Sequence, residues 1–387
     1  MNETPRAAAA ARPNADGPQL STGRKVLFAG ITILLVLVAC EAALRVRAWI
    51  RYGSPSTGVR DPMLTYDPDA DLYVPRPGYE VNGARIHIKI NSLGFRGDEF
   101  TRAKPARTVR IACLGASTTF CAESSSNHTT WPHRLQEKLQ AAYPDVKIEV
   151  INAAVGGYVA SDNVKALRHR VLPLDPDLVI YYEANNEIVK DTRELAARQG
   201  MTIQSAPSGM AARLSKYSLM FDLAYKNLAI LLGERGATAH KIDRVPADLP
   251  NHFISELDDM RTTLAERHVP LMLSTFLVKY RRGQPRSTQI ANADVAFYYM
   301  PWMSIDGMLD AMDVYNDAIL RYAKQHDLPA VDDRDAIPPD ATHYSDCMHL
   351  LDAGSEAMAD RFFRFLSGDH VVDRLVEAAR HGSPQLR

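Results

Sequence analysis

Between residues 109 and 182 the chain alternates short runs rich in Val, Ile and Tyr with longer amphipathic ones, and this rhythm restricts the fold more than any other feature. Residues 109–114, 147–151 and 178–182 read as strands. Between them, residues 132–142 carry Leu135 and Leu139 on one helical face, and residues 162–171 read as a second helix. Strands joined through helices must run parallel, and such crossovers close right-handed. The rhythm resumes with a helix at 252–267, a strand at 269–276, a helix at 308–326 and a short strand ending near Val331. The predicted class is α/β, a three-layer α/β/α sandwich around a mainly parallel sheet.

The flanks differ in character. Residues 26–39 are all apolar, Gly or Thr, and continuing past Glu41 to Leu44 gives a helix of about 28 Å at ~1.5 Å per residue, enough to span a bilayer. Arg24 and Lys25 precede this run and Arg45, Arg47 and Arg51 follow it, so flanking charge alone does not orient it. A second reading is a cleaved signal peptide whose Leu37, Val38, Ala39 and Cys40 form a lipobox. The strong helix formers after Cys40 favour a continuous span. Either reading puts the large domain outside the cytoplasm.

The expected organisation is a disordered head at 1–23, a transmembrane anchor at 24–47, an extension at 48–106 packing on the next domain, the main α/β domain at 107–370, and a flexible tail at 371–387. The extension holds one alternating strand, ARIHIKI at 84–90, followed by a turn, NSLGFRGDEF. Insertions are expected at about 190–249 and 277–305. The first contains an apolar helical stretch near 219–232 and is placed over the sheet's edge as a lid.

Charge and cysteine content narrow the partners. With 45 basic and 46 acidic residues there is no electrostatic case for nucleic acid, and the expected partner is a small or glycan-like molecule. The cysteines at 40, 113, 121 and 347 have neither the number of a disulfide scaffold nor the spacing of a zinc site, and no metal or cofactor is expected.

Ligands of open parallel sheets bind beyond the carboxyl ends of the strands. Ser117, in LGAST, follows the first strand of the alternating region, where a nucleophile belongs. A serine needs a histidine as general base and a carboxylate to fix that histidine's tautomer. Asp346 and His349, in DCMHL, supply both from one turn. Asp340 and His343 have the same spacing, but His349 precedes an apolar helical run that can anchor it, whereas His343 sits in a polar loop behind two prolines. Oxyanion donors must sit where charge develops. Gly157, in NAAVGGY after the second strand, offers an unobstructed backbone N–H, and Asn186, in YEANNE after the third, offers an amide.

This ordered set resembles the SGNH hydrolase superfamily, also called GDSL esterases and lipases, over residues 107–366. The resemblance implies Ser117 as nucleophile with its own N–H in the oxyanion hole, Gly157 and Asn186 as the other oxyanion donors, and Asp346 and His349 as the relay. Three positions depart from the family pattern: Ala116 replaces the Asp beside the nucleophile, Ala184 the Gly of the third block, and Glu187 its Asp. The last two leave Asn185 as an alternative to Asn186. The implied chemistry is acyl transfer through an acyl-serine, to water in an esterase or deacetylase, or to a sugar hydroxyl in an O-acyltransferase. A non-catalytic glycan-binding or assembly module is the competing class.

The membrane segment, the ARIHIKI strand and the NSLGFRG turn are similar to bacterial membrane-anchored members of the superfamily. That likeness implies a single-pass inner-membrane protein with a periplasmic catalytic domain, acting on cell-envelope or exported glycan. If the loops after Ser117 and around His349 converge, Cys121 and Cys347 become neighbours. A bridge and two separately packed thiols both stay open, with strict disulfide geometry favouring the second.

Overall fold

A computed structural model describes residues 21–53, 63–201, 209–235 and 241–381. The chain opens with helix α1 (Thr22–Tyr52), whose stretch Thr22–Ile50 is long and apolar enough to cross a membrane. The expected head at 1–23 lies outside the described residues except at its end, where Thr22 is already helical. Helix α1 stops at Gly53, whose φ of 66° returns its N–H to the Trp49 carbonyl. A Cβ there would stand 2.9 Å from the Asn82 carbonyl oxygen, so this αL stop against a neighbouring backbone suits only glycine.

Two antiparallel hairpins follow: β1 (Leu64–Asp67) with β2 (Leu72–Pro75), and β3 (Glu80–Asn82) with β4 (His87–Lys89). The strand expected at 84–90 is therefore shorter, yet its alternation holds. Ile86, Ile88 and Ile90 are buried while His87 and Lys89 face out.

The central sheet is built from β5 (Thr108–Gly115), β6 (Lys147–Asn152), β7 (Leu178–Tyr182), β8 (Leu271–Ser274) and β9 (Ala330–Val331), all parallel, in the order β6-β5-β7-β8-β9. Between the strands run a single turn α2 (Ser117–Phe120), then α3 (Trp131–Ala142), α4 (Ala160–Ala166), α5 (Asn185–Arg198), α6 (Gly209–Tyr217), α7 (Leu219–Arg235), α8 (Asn251–Ala265), α9 (Arg286–Asn292), α10 (Asp294–Tyr299) and α11 (Ile305–Gln325). The chain closes with α12 (Asp352–Gly368) and α13 (Val371–His381).

Helices α3, α12 and α13 pack together over β5 and β6, and α4, α5, α8 and α11 form the other layer. This is the expected α/β/α sandwich. Strand order reverses between β5 and β7, because the chain first steps to β6 and then returns past β5. Loops leaving the carboxyl ends of neighbouring strands diverge at such a point and leave a crevice.

The core fixes these strand ends. Val109, Ile111, Ile180 and Leu273 are completely or almost completely buried, each burial stabilising by roughly 1.5–3 kcal/mol. Trp131 at the start of α3 stacks on Phe362 of α12 with ring centroids 4.7 Å apart, joining the helix after the serine loop to the helix after the histidine. The helix expected at 162–171 begins as α4 but changes at Leu167 into a π turn and then into a 3₁₀ turn at Leu172–Leu174. Pro173, in that last turn, has no N–H with which to continue the α-helical ladder.

Two expected boundaries need correction. The tail at 371–387 was expected to be flexible, but α13 covers Val371–His381, with Val371, Val372 and Val376 buried and Arg380 paired with Asp145 at 2.8 Å. An amphipathic spacing in a short terminal segment is enough once a partner surface exists; residues 382–387 lie outside the described residues. The insertion expected from 190 begins too early, since α5 runs unbroken to Arg198 with Ile188, Thr192 and Ala196 in the core. The inserted helices are α6 and α7, which pack on each other and, through α7, on α10 and α1.

Candidate active site

The site forms where β5, β6 and β7 end. At the end of β5, Gly115 has a φ of 154°, and a Cβ there would collide with the Thr119 side chain and the Tyr182 carbonyl. Glycine lets β5 turn sharply against β7 and lift Ser117 onto the first position of α2, with Thr118, Thr119 and Phe120 buried beneath it. Asn163 of α4 accepts the Gly115 N–H at 3.0 Å, and Asn152 at the end of β6 donates to the Thr119 carbonyl at 3.0 Å.

The loop after Ser117 is gathered by a residue that the sequence did not single out. Arg96, buried in the NSLGFRG turn, donates to the carbonyls of Phe120 at 2.9 Å, Cys121 at 2.6 Å and Ser126 at 3.2 Å, and to the Asn127 side chain at 3.2 Å. Burial pulls its pKa down to about 10, opposed by the Asp352 carboxylate, so it stays cationic at neutral pH. The turn itself is tied by Asn91, which accepts from the Leu93 and Phe95 N–H groups and donates to the Asp98 carbonyl. An arginine at the tip of a fixed turn was the available signal.

The histidine arrives from the other side. His349 Nε2 lies 2.8 Å from Ser117 Oγ, and its Nδ1 lies 2.7 Å from Asp346 Oδ2. The other Asp346 oxygen accepts the backbone N–H groups of Met348 at 2.9 Å and His349 at 2.8 Å, which locks carboxylate and ring into one turn. Burial raises the Asp346 carboxyl, but the His349 hydrogen bond and charge and these N–H donors outweigh it, leaving it below its ordinary range. Burial likewise opposes the charged form of His349, yet Asp346, with Glu123 adding, lifts the imidazole above its ordinary value.

The two loops are stapled directly. Asp352, at the start of α12, accepts the Ser125 N–H at 2.8 Å and its hydroxyl at 2.6 Å, and the Ser124 and Ser355 hydroxyls meet at 3.0 Å. The competing pair behaves differently: His343 bonds Asp340 at 2.8 Å on the surface, with no hydrogen bond to Ser117. All four cysteines are unbonded; Cys121 and Cys347 are both buried, and burial pushes the Cys121 thiol up to about 11.

The residues expected as oxyanion donors lie on the turns that follow β6 and β7. A Cβ on Gly156 would come within 3.9 Å of the Ser117 Cβ, and Gly157 follows with a φ of 86°. Neither the Ser117 nor the Gly157 N–H donates to another described residue. Asn186, partly exposed, donates its amide to the Tyr158 carbonyl at 2.9 Å, which ties the third block to the turn of the second. Asn185 is buried, and its Oδ1 has no partner among the described residues. Asn186 is thus the more exposed of the two amides and Asn185 the buried one.

Two carboxyls beneath this loop were not expected. Glu183 accepts the Asn186 N–H at 2.6 Å, and burial pushes its pKa up to about 8 despite the backbone donors around it. Glu187, where the family has Asp, accepts the Ala160 N–H and so joins α5 to the start of α4. Away from the crevice, Asp98, His128 and His133 bring possible metal-ligand atoms within 4.8 Å of one another.

Residues 113–357 match the model of the GDSL-like lipase/acylhydrolase family. Among curated proteins, none matches the sequence. Similar solved structures include LAE5, an alpha/beta hydrolase enzyme from the metagenome of Lake Arreo, Spain, at 16% identity over 67% of this chain and 95% of that one, with a TM-score of 0.43. Another is Axe2, an acetylxylan esterase from Geobacillus stearothermophilus, at 16% identity over 67% of this chain and 94% of that one, with a TM-score of 0.40. A GDSL-like lipase from Bacteroides thetaiotaomicron is similar at 10% identity over 67% of this chain and 88% of that one, with a TM-score of 0.36.

Proposed function

We propose that this chain, which belongs to the GDSL-like lipase/acylhydrolase family, cleaves an acyl ester through an acyl-serine intermediate on Ser117, at the outer face of the bacterial inner membrane. As a family member it is an esterase-type hydrolase. The assignment of roles rests on one observation: an unbroken hydrogen-bond chain from Ser117 Oγ to His349 Nε2 and from His349 Nδ1 to Asp346 Oδ2, at 2.8 and 2.7 Å.

In this reading His349 takes the serine proton as Oγ attacks the ester carbonyl, and Asp346 holds the ring and steadies the imidazolium. The oxyanion is met by the Ser117 and Gly157 N–H groups and the Asn186 amide. His349 then protonates the departing alcohol, and a water, deprotonated by the same histidine, releases the acid and restores the serine. The anchor α1 and the near-neutral charge balance support an acylated envelope or exported glycan as substrate. Transfer of the acyl group to a sugar hydroxyl instead of water would make the same site an O-acyltransferase.

A fluorophosphonate probe and p-nitrophenyl acetate test the roles. Ser117→Ala and His349→Ala should lose labelling and hydrolysis while staying folded, and His343→Ala should keep both. Loss with His343→Ala but not with His349→Ala overturns the assignment. Incubation with an acetylated glycan separates the two fates of the acyl group, since free acetate marks a hydrolase and a newly acetylated sugar a transferase. For the anchor, the protein should stay in membranes through a carbonate wash, Cys40→Ser should change neither size nor location, and a reporter fused after Arg387 should work only if it is a periplasmic one.

A further inference from the structure

We propose that the α6–α7 hairpin is a membrane-docking element whose apolar face lies in the headgroup and acyl-chain boundary of the same bilayer that α1 crosses. This inference rests on the anchor reading of α1. Helix α6 carries an apolar stripe out of place on a water-exposed surface. Met210, Leu214 and Tyr217 recur at helical spacing on one face of α6 and are 73%, 45% and 68% exposed. No residue of α6 is buried, and Leu228 on α7 is 53% exposed. An apolar face of this kind requires a cover.

Glu41 identifies the cover. It lies about 24 Å beyond Lys25 along α1 at ~1.5 Å per residue, inside a hydrocarbon layer about 30 Å thick. A carboxylate at that depth is costly unless it is paired. The hairpin pairs it: Glu41 accepts the Leu219 and Met220 N–H groups and the Ser218 hydroxyl, each at 2.9 Å. Arg45 donates to Glu41 at 2.7 Å and to the Tyr217 carbonyl at 2.8 Å. The junction of α6 and α7 is thereby fixed at the level of Glu41, near the outer edge of the span. An apolar stripe starting at that level meets lipid before it meets any soluble partner.

The hairpin also reaches the catalytic end of the sheet. Helix α7 packs on α10, where Lys226 Nζ stands 5.4 Å from the Tyr298 ring centre and 6.0 Å from that of Tyr299. Lys226 is close enough for its charge to act on His349. Docking of α6–α7 therefore sets the crevice beside the membrane surface, so that esters are met along that surface.

The test uses the full chain in phosphatidylethanolamine–phosphatidylglycerol vesicles, with Cys40→Ser removing the exposed thiol. Nitroxides are placed singly at Leu214→Cys and Leu228→Cys, with references at Leu34→Cys in the span and Arg364→Cys on the soluble surface. Power saturation compares collisions with lipid-soluble oxygen and with a water-soluble nickel chelate. At 214 and 228 the oxygen-to-nickel ratio should shift from the Arg364→Cys value toward the Leu34→Cys value. If 34 reads as lipid while 214 and 228 read as aqueous, the docking inference fails and the anchor stands. Protection of 214 and 228 from both reagents would assign the stripe to a protein partner and also overturns it. An aqueous reading at 34 defeats the anchor reading itself.

Discussion

The side-chain amide of Asn186 donates to the Tyr158 carbonyl at 2.9 Å, so the amide at the end of β7 is held against the turn that carries Gly157 at the end of β6. One amide hydrogen is committed to that bond, and on the proposed mechanism the other meets the oxyanion. Asn186→Ala should therefore lower kcat for p-nitrophenyl acetate by ~10²-fold to 10³-fold with little change in stability, as for loss of one oxyanion donor. Asn185→Ala should act mainly on stability, because that side chain is buried. A turnover loss in Asn185→Ala matching that expected for Asn186→Ala would reverse the two roles.

Arg96 holds the serine loop by its backbone. Removing its guanidinium leaves the Phe120 and Cys121 carbonyls without that donor in a buried setting. Arg96→Met should cost about 3 to 5 kcal/mol in urea unfolding and lower turnover in the protein that remains folded. Arg96→Lys should not restore the wild-type value, since an ammonium cannot reach several carbonyls as a planar fork does. Wild-type stability in Arg96→Met would show that the loop is held by Asn152 and the Asp352 staple instead.

The strands of the sheet were legible because each is a short apolar run whose burial depends on its own composition; residues 178–182 read as a strand form β7 without adjustment. The meeting of Ser117 with His349 bridges 232 residues, and the sequence offered only their order along the chain and the apolar run behind His349, which is α12. Arg96 is not legible in the sequence because its role is to bond carbonyls, a property that no side-chain spacing reveals. Helix α13 reads as tail in the sequence because its apolar positions gain meaning only against β5 and α12. Glu41 looked like an interruption of the span, and its partners at Ser218, Leu219 and Met220 lie far along the chain in a segment with no family pattern.

The pH profile should carry the signature of His349. Its pKa is lifted above the ordinary 6.5, and only the neutral ring can accept the serine proton. kcat/KM for a neutral ester should rise with pH along one limb whose midpoint lies above 6.5. The stabilisation from the Asp346 pair has the matching sign: it is full below the unfolded pKa and is lost as pH rises through the folded one. Asp346→Asn should move the limb down and lower kcat by roughly 10⁴-fold. A limb unmoved in Asp346→Asn would mean that another group sets the profile.

Glu183 gives the last prediction, in stability. Its folded carboxyl titrates at about 8 against an ordinary 4.5, so the folded chain keeps a proton that the unfolded chain releases across that interval. Stability must fall as pH rises through the interval, the contribution being full below 4.5 and lost by the time the folded group ionises. Glu183→Gln removes the titration but retains an oxygen to accept the Asn186 N–H. Urea midpoints between about pH 5 and about pH 8 should therefore decline less steeply in Glu183→Gln than in the wild type. Some slope should remain in the variant, because burial raises Glu187 and Asp191 in the same direction. Parallel declines in the two proteins would show that Glu183 is already ionised in the fold, held as a carboxylate by the N–H groups of Ala184, Asn185 and Asn186 at the start of α5.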